Sequence, residues 1–313
     1  MRIFLLLFIS ACLSFVNAAN KKILGKIPAD YDYVVSIRIP ELFKNEKLSK
    51  KMQENDDYKE FLDKMTKKIG LTEKDLVSIS IGGIAAQYEK MRSWQEFEEQ
   101  EFDTAVYVEL AKPLDFEKIM KEFPEVFAGK KEVNGISCVR LKDSDMKDAY
   151  LAFLAPDLLM MSSDHQLPKL TKLSVGQSVL AHSDAKRLLT TNGFGGVFSI
   201  VHWGAVGEVH PMTPWMKNYT GSSINLYFEG NQDIALQCTM TFSDLQSIKG
   251  ASLLINMGMS FMDIKPEFAQ FKNMIDFKVF EKNLMLDVKV NETSWEMMTN
   301  AFEDMSINRR KRR

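Results

Sequence analysis

Two stretches of this chain, YLAFLAPDLLMMSS at 150–163 and FKVFEKNLMLDVKV at 277–290, each set turn-tolerant residues between two apolar runs. Bent around Pro156-Asp157 and Lys282-Asn283, such runs read as β-hairpins. An isolated hairpin is marginal in water and needs further strands or a helix against its apolar face, so its recurrence obliges the chain to supply the rest of a sheet twice. The preceding segments do so in one order. YVVSIRIP (33–40) corresponds to GVFSIVHW (196–203), VSISIGGIA (77–85) to SSINLYFEG (222–230), and TAVYVELAKPLDFEKI (104–119) to IALQCTMTFSDLQSI (234–248). The residue offsets fall in sequence, roughly 163, 145, 129 and 126, as expected of a repeat whose first copy has a longer opening helix and an extra acidic loop. The pattern predicts an α+β fold of two similar halves, each a mainly antiparallel sheet packed against helices, at 19–185 and 186–306.

Helical periodicity fills the gaps between strands. Pro40 and Glu41 open a helix carried by Leu42, Phe43, Leu48, Met52, Tyr58, Phe61, Leu62 and Met65, broken near 55–57 and stopped by Gly70. Phe116, Ile119, Met120 and Phe123 share a face of a second helix at 114–123. A strand is expected at 135–142 and a short helix near Pro168. Thr293, Ser294, Trp295 and Glu296 form a capping box after the second hairpin.

The first 18 residues predict a signal peptide: Arg2 precedes an apolar run, and Val16 and Ala18 suit cleavage after Ala18. The chain is therefore expected to be exported, periplasmic or extracellular. A second cut competes, since Ile9, Ser10, Ala11 and Cys12 resemble a lipobox that would anchor the chain at a lipidated Cys12. Of the remaining cysteines, Cys138 and Cys238 either form a disulfide or are two buried small side chains. Setting aside Arg2 and the five cations Arg309, Arg310, Lys311, Arg312 and Arg313 leaves 34 basic against 42 acidic side chains, a body near −8. Such a body offers no basic face for nucleic acid. The cationic tail, within 307–313, reads as a disordered segment suited to an anionic surface or membrane.

KIPADYDYVVSIRIPELFKN (26–45), with GLTEKDLVSISIGG (70–83), resembles exported bacterial proteins of uncharacterised function that open on a P-A-D-x-x stretch, a strand and a helix. The resemblance implies a bacterial, exported chain with duplicated α+β halves. It implies no catalytic residues.

Motifs for chemistry are sparse: there is no G-x-S-x-G, H-E-x-x-H, C-x-x-C or P-loop, and nothing calls for a cofactor. NGFGG (192–196) precedes a strand, whereas phosphate-cradling loops follow one, so it reads as a turn. His202, Glu208 and His210 in HWGAVGEVH combine imidazoles with a carboxylate and are the weak candidates for proton transfer or zinc, yet they make an incomplete ligand set. QEFEEQEFD (95–103) reads as a solvated acidic loop and DSDMKD (143–148) as a polar turn lacking the glycine and closing glutamate of a calcium loop. Asn218 and Asn291 head N-x-T sequons. The expected function is a non-catalytic binding protein for a protein, glycan or lipid. The alternatives are an envelope-associated structural protein held by its tail or a lipid, and a hydrolase using 202–210.

Overall fold

The computed structural model describes residues 21–84, 103–142, 148–191, 197–204, 218–229, 233–264 and 272–291. The strands are β1 (Tyr33–Arg38), β2 (Leu76–Gly83), β3 (Thr104–Leu110), β4 (Phe127–Val133), β5 (Ile136–Leu141), β6 (Ala149–Ala155) and β7 (Leu158–Ser163). They continue with β8 (Phe198–Trp203), β9 (Tyr219–Glu229), β10 (Asp233–Phe242), β11 (Ile275–Phe280) and β12 (Asn283–Val290). All join one 12-stranded sheet in the order β11-β12-β10-β9-β8-β1-β2-β3-β7-β6-β5-β4. Every pairing is antiparallel. The α+β class expected from the sequence is the class observed, but the strands do not form two separate sheets: β1 pairs with β8 and joins them edge to edge.

The helices are α1 (Lys21–Leu24), α2 (Ile39–Lys44), α3 (Glu46–Glu54), α4 (Asp56–Ile69), α5 (Phe116–Glu122), α6 (Leu167–Leu170), α7 (Ser183–Thr191) and α8 (Leu245–Ile264). The long opening helix breaks twice, not once. Asn45 ends α2, and Asn55 caps α4 by accepting from the Tyr58 amide at 3.0 Å. Gly70 closes α4 in the left-handed region at φ 73°, a conformation that suits glycine. Asp115 caps α5 through the Lys118 amide.

One face of the sheet carries Val34, Tyr107, Met160 and Val201, buried under Ile23 of α1, Leu167 and Leu170 of α6, and Leu188 of α7. This core crosses the β1–β8 seam, so the boundary expected at 185/186 does not separate two cores. The other face is covered in three places. Ile37, Ile79 and Phe198 pack with Phe43 of α2, Val139 and Phe127 pack with α4 and α5, and Phe242 and Leu284 pack under Ile248 and Ala251 of α8.

β4 and most of α8 were not anticipated. Asn134 and Gly135, at φ 54° and 79°, turn the chain from β4 into β5 with the conformation that a two-residue hairpin loop requires. The second long hairpin turns at Glu281-Lys282, one residue earlier than expected, with Glu281 at φ 52°.

A buried polar row crosses the seam. Ser80, Ser36, Ser199 and Asn225 are successive register partners on β2, β1, β8 and β9. Ser36 and Ser80 share a hydrogen bond of 2.6 Å, and Ser199 donates to the Asn225 carbonyl. All four are buried, so each hydroxyl needs its neighbour. Ser36→Ala strands Ser80 and is expected to cost about 1–3 kcal/mol, whereas the double variant Ser36→Ala, Ser80→Ala strands neither group and costs less. Urea unfolding of the two variants checks this; a double variant less stable than the single one contradicts it.

Candidate functional site

His202 lies on β8 opposite Ser222 of β9. Its Nδ1 is 3.2 Å from the Tyr219 hydroxyl, which donates to Ser222 Oγ at 2.6 Å, and the His202 and Tyr219 rings stack 5.9 Å apart. Tyr219 is buried, and burial pushes its phenol above the ordinary range. The candidate histidine is thus held in a hydroxyl network at the sheet. Glu208 and His210 lie outside the described residues, as do the 192–196 turn, 95–102, 143–147, the capping box at 293–296, Cys12 and the tail Arg309–Arg313.

Asp103 and Asp148, the described ends of two acidic segments, both have partners. Arg140 donates to Asp148 at 2.6 Å, which leaves that carboxylate serving an ion pair at the β5–β6 connection. Asn218 donates its side-chain amide to Ser247 at 3.1 Å, next to the Asp244 cap of α8. Cys138 and Cys238 are both free. They sit on strands eight steps apart in the sheet order, about 38 Å at the ordinary strand spacing, so they cannot be bridged. Burial raises both thiols above the usual thiol range, which suits inert side chains.

One constellation escaped sequence reasoning. Ser163 Oγ lies 2.9 Å from His165 Nδ1, and His165 Nε2 lies 3.1 Å from Asp103 Oδ1. Gln166 donates to the same Asp103 oxygen, and the Tyr31 hydroxyl reaches Gln166 Oε1 at 3.5 Å. The types match a serine–histidine–carboxylate relay, yet two features oppose catalysis. The serine bonds Nδ1 and the carboxylate Nε2, the reverse of the protease arrangement, and Ser163 is only 3% exposed, leaving no path to a substrate carbonyl. The group instead ties the end of β7 to the residue preceding β3 and to the chain entering β1. Asp103 is 62 residues from His165, and no spacing rule links them.

A cavity of about 320 Å³ lies at the opposite end of the sheet, lined by Ala235, Gln237, Asp276, Asp287 and Lys289 among others. Asp276 of β11 stands directly opposite Asp287 of β12, a like-charge pairing that sheets disfavour. Lys278 lies 3.5 Å from Asp287 and relieves that carboxylate; Asp276 has no ion-pair partner among the described residues. The mixed charges suit a polar group. Among the described residues, no set of three or more His, Cys, Asp or Glu side chains gathers to hold a metal, and no helix is long and apolar enough to cross a membrane.

The same end of the sheet carries the uncovered apolar side chains. α8 buries Ile248 and Ala251 but exposes Leu253 at 61% and Met257 at 59%; Val279 and Phe280 of β11 are 46% and 61% exposed. Each such side chain forgoes about 1 kcal/mol of burial. No protein-family model, characterised protein or solved structure matches the chain.

If the His165 relay is structural, Asp103→Ala removes an acceptor shared by His165 and Gln166 and lowers stability by about 1–3 kcal/mol in urea unfolding. p-Nitrophenyl acetate hydrolysis is then the same for the native chain and His165→Ala. A native rate well above that of His165→Ala contradicts the structural role.

Proposed function

We propose that the chain is an exported, non-catalytic interaction protein, built from one α+β unit used twice, that meets its partner at the β11–α8 end of the sheet. The observation that carries this reading is the contrast between the two ends. β4, at one edge, presents Lys130, Lys131 and Glu132; Lys130 pairs with Glu117, and Lys131 pairs with Asp164 while lying 3.9 Å over the Tyr150 ring. Charged edges of this kind prevent further strand pairing. The β11 end instead couples an open edge, among the described residues, to the exposed apolar side chains of α8 and β11. Large apolar side chains left exposed together at one end of a sheet are a mark of a contact site.

Duplication is supported by the strand order. Outward from the seam, one side reads β1-β2-β3-β7-β6 and the other β8-β9-β10-β12-β11, with β5 and β4 added to the first. Ser36 and Ser199, equivalent in the sequence repeat, are each other's partners, and the equivalents Ser80 and Asn225 each bond the central serine beside them. Export rests on the leader-like segment at 1–18 and on the resemblance carried by 26–45 and 70–83.

A photo-crosslinking residue at Met257 tests the reading in cells that export the protein, with Lys130 as control. Discrete higher-mass adducts are expected from position 257 and not from position 130. A probe at 257 that yields no adduct contradicts the proposal.

A further inference from the structure

We infer that the partner at β11 is a second copy of this chain: two β11 strands pair antiparallel about a twofold axis at Phe277, joining two sheets into one. This rests on the interaction reading above and names its occupant. β11 is a six-residue strand, IDFKVF, paired on one side with β12 and, among the described residues, terminal in the sheet order. Centred on Phe277, the antiparallel register sets Asp276 against the second copy's Lys278, Ile275 against Val279, and Phe277 against itself.

Each of these contacts is favourable and falls on the correct face. The register with β12 puts Ile275, Phe277 and Val279 beside Val288, Leu286 and Leu284, on the face that α8 covers at Leu284, and Asp276 and Lys278 on the opposite face, with Phe280 beyond them. In the paired form the apolar residues meet apolar residues on one face, with an aromatic pair at the axis. On the other face two aspartate–lysine pairs form, one on each side of the axis. A closed twofold contact requires such self-complementarity, because the same patch must serve both copies.

Electrostatics within one copy supply the second argument. Asp276 and Asp287 oppose each other across the β11–β12 ladder; Lys278 lies 3.5 Å from Asp287, and Lys289 lines the same cavity. The second copy's Lys278 would stand opposite Asp276 and add a cation beside the aspartate that faces Asp287. It would also place a cation from the second copy at the rim of the cavity that Asp276 and Asp287 line. A six-residue strand pair is a small contact, so the expected dimer is concentration-dependent.

Sedimentation equilibrium of the full chain over about 1–100 μM, with circular dichroism to confirm folding, tests the inference. The native chain should show a monomer–dimer equilibrium. Lys278→Asp or Asp276→Lys, each placing like charges across the axis, should weaken it by about tenfold or more. Each breaks or adds only surface charge, so the fold should survive. An equimolar mixture of the two single variants has matched charges at both positions and should form a heterodimer at the native concentration range; the double variant should again self-associate. A native chain that stays monomeric throughout overturns the inference, as does a dimer indifferent to both reversals or a mixture that fails to recover association. If association fails these tests while the probe at Met257 still gives adducts, only the identity of the partner falls; if the dimer behaves as stated and those adducts do not form, the contact surface on α8 falls.

Discussion

The antiparallel pairing of β1 with β8, with Ser36 opposite Ser199, is the constraint on which the rest of the structure depends. Side chains alternate between faces along a strand, so this register decides which face every residue of both strands occupies. A slip of one residue would turn one of the two serines into the layer of Ile37 and Phe198 and move Val34 or Val201 out of the large core. The four buried polar groups in the row oppose that slip, because a serine displaced into an apolar layer loses its partner. Specificity at the centre of the sheet comes from hydroxyls, while its stability comes from the apolar residues on either side.

From that seam the sheet grows outward to two unlike ends. Toward β4 the strands are covered on both faces and the final edge is closed by charge: Lys130 and Lys131 reach acidic partners on neighbouring elements. Toward β11 the sheet is covered on one face by α8, and the other face presents Gln237, Asp276, Asp287 and Lys289. Alternation through most of β10, β11 and β12 produces this division, although Ala235, Phe280 and Met285 fall on the polar side. α8 then carries apolar residues on both of its sides, Ile248 and Ala251 inward and Leu253 and Met257 outward. A helix of that kind ordinarily lies between two layers.

Much of the fold was legible because local chemistry and tertiary placement agreed. The two long hairpins and the Gly70 stop each depend on residues within a few positions of one another. β4 was legible in principle through Asn134-Gly135, but its charged run masked the strand pattern. α8 escaped because apolar residues around its whole circumference give no clear stripe. The His165 relay was not legible, since Asp103 reaches it only through the fold, nor was the contact of His202 with Tyr219, whose hydroxyl donates to Ser222. The sheet's continuity across the seam was also invisible, because alternation reports that a strand has a buried face and not which strand lies beside it.

Native-state hydrogen exchange on the monomeric chain tests the continuity of the sheet most directly. If β1 and β8 form the common centre, their amides exchange slowest and together, through global unfolding, with protection falling toward both ends of the sheet. A segment from β8 to β12 that opens as a unit of its own, while β1 to β7 stay protected, would contradict this account.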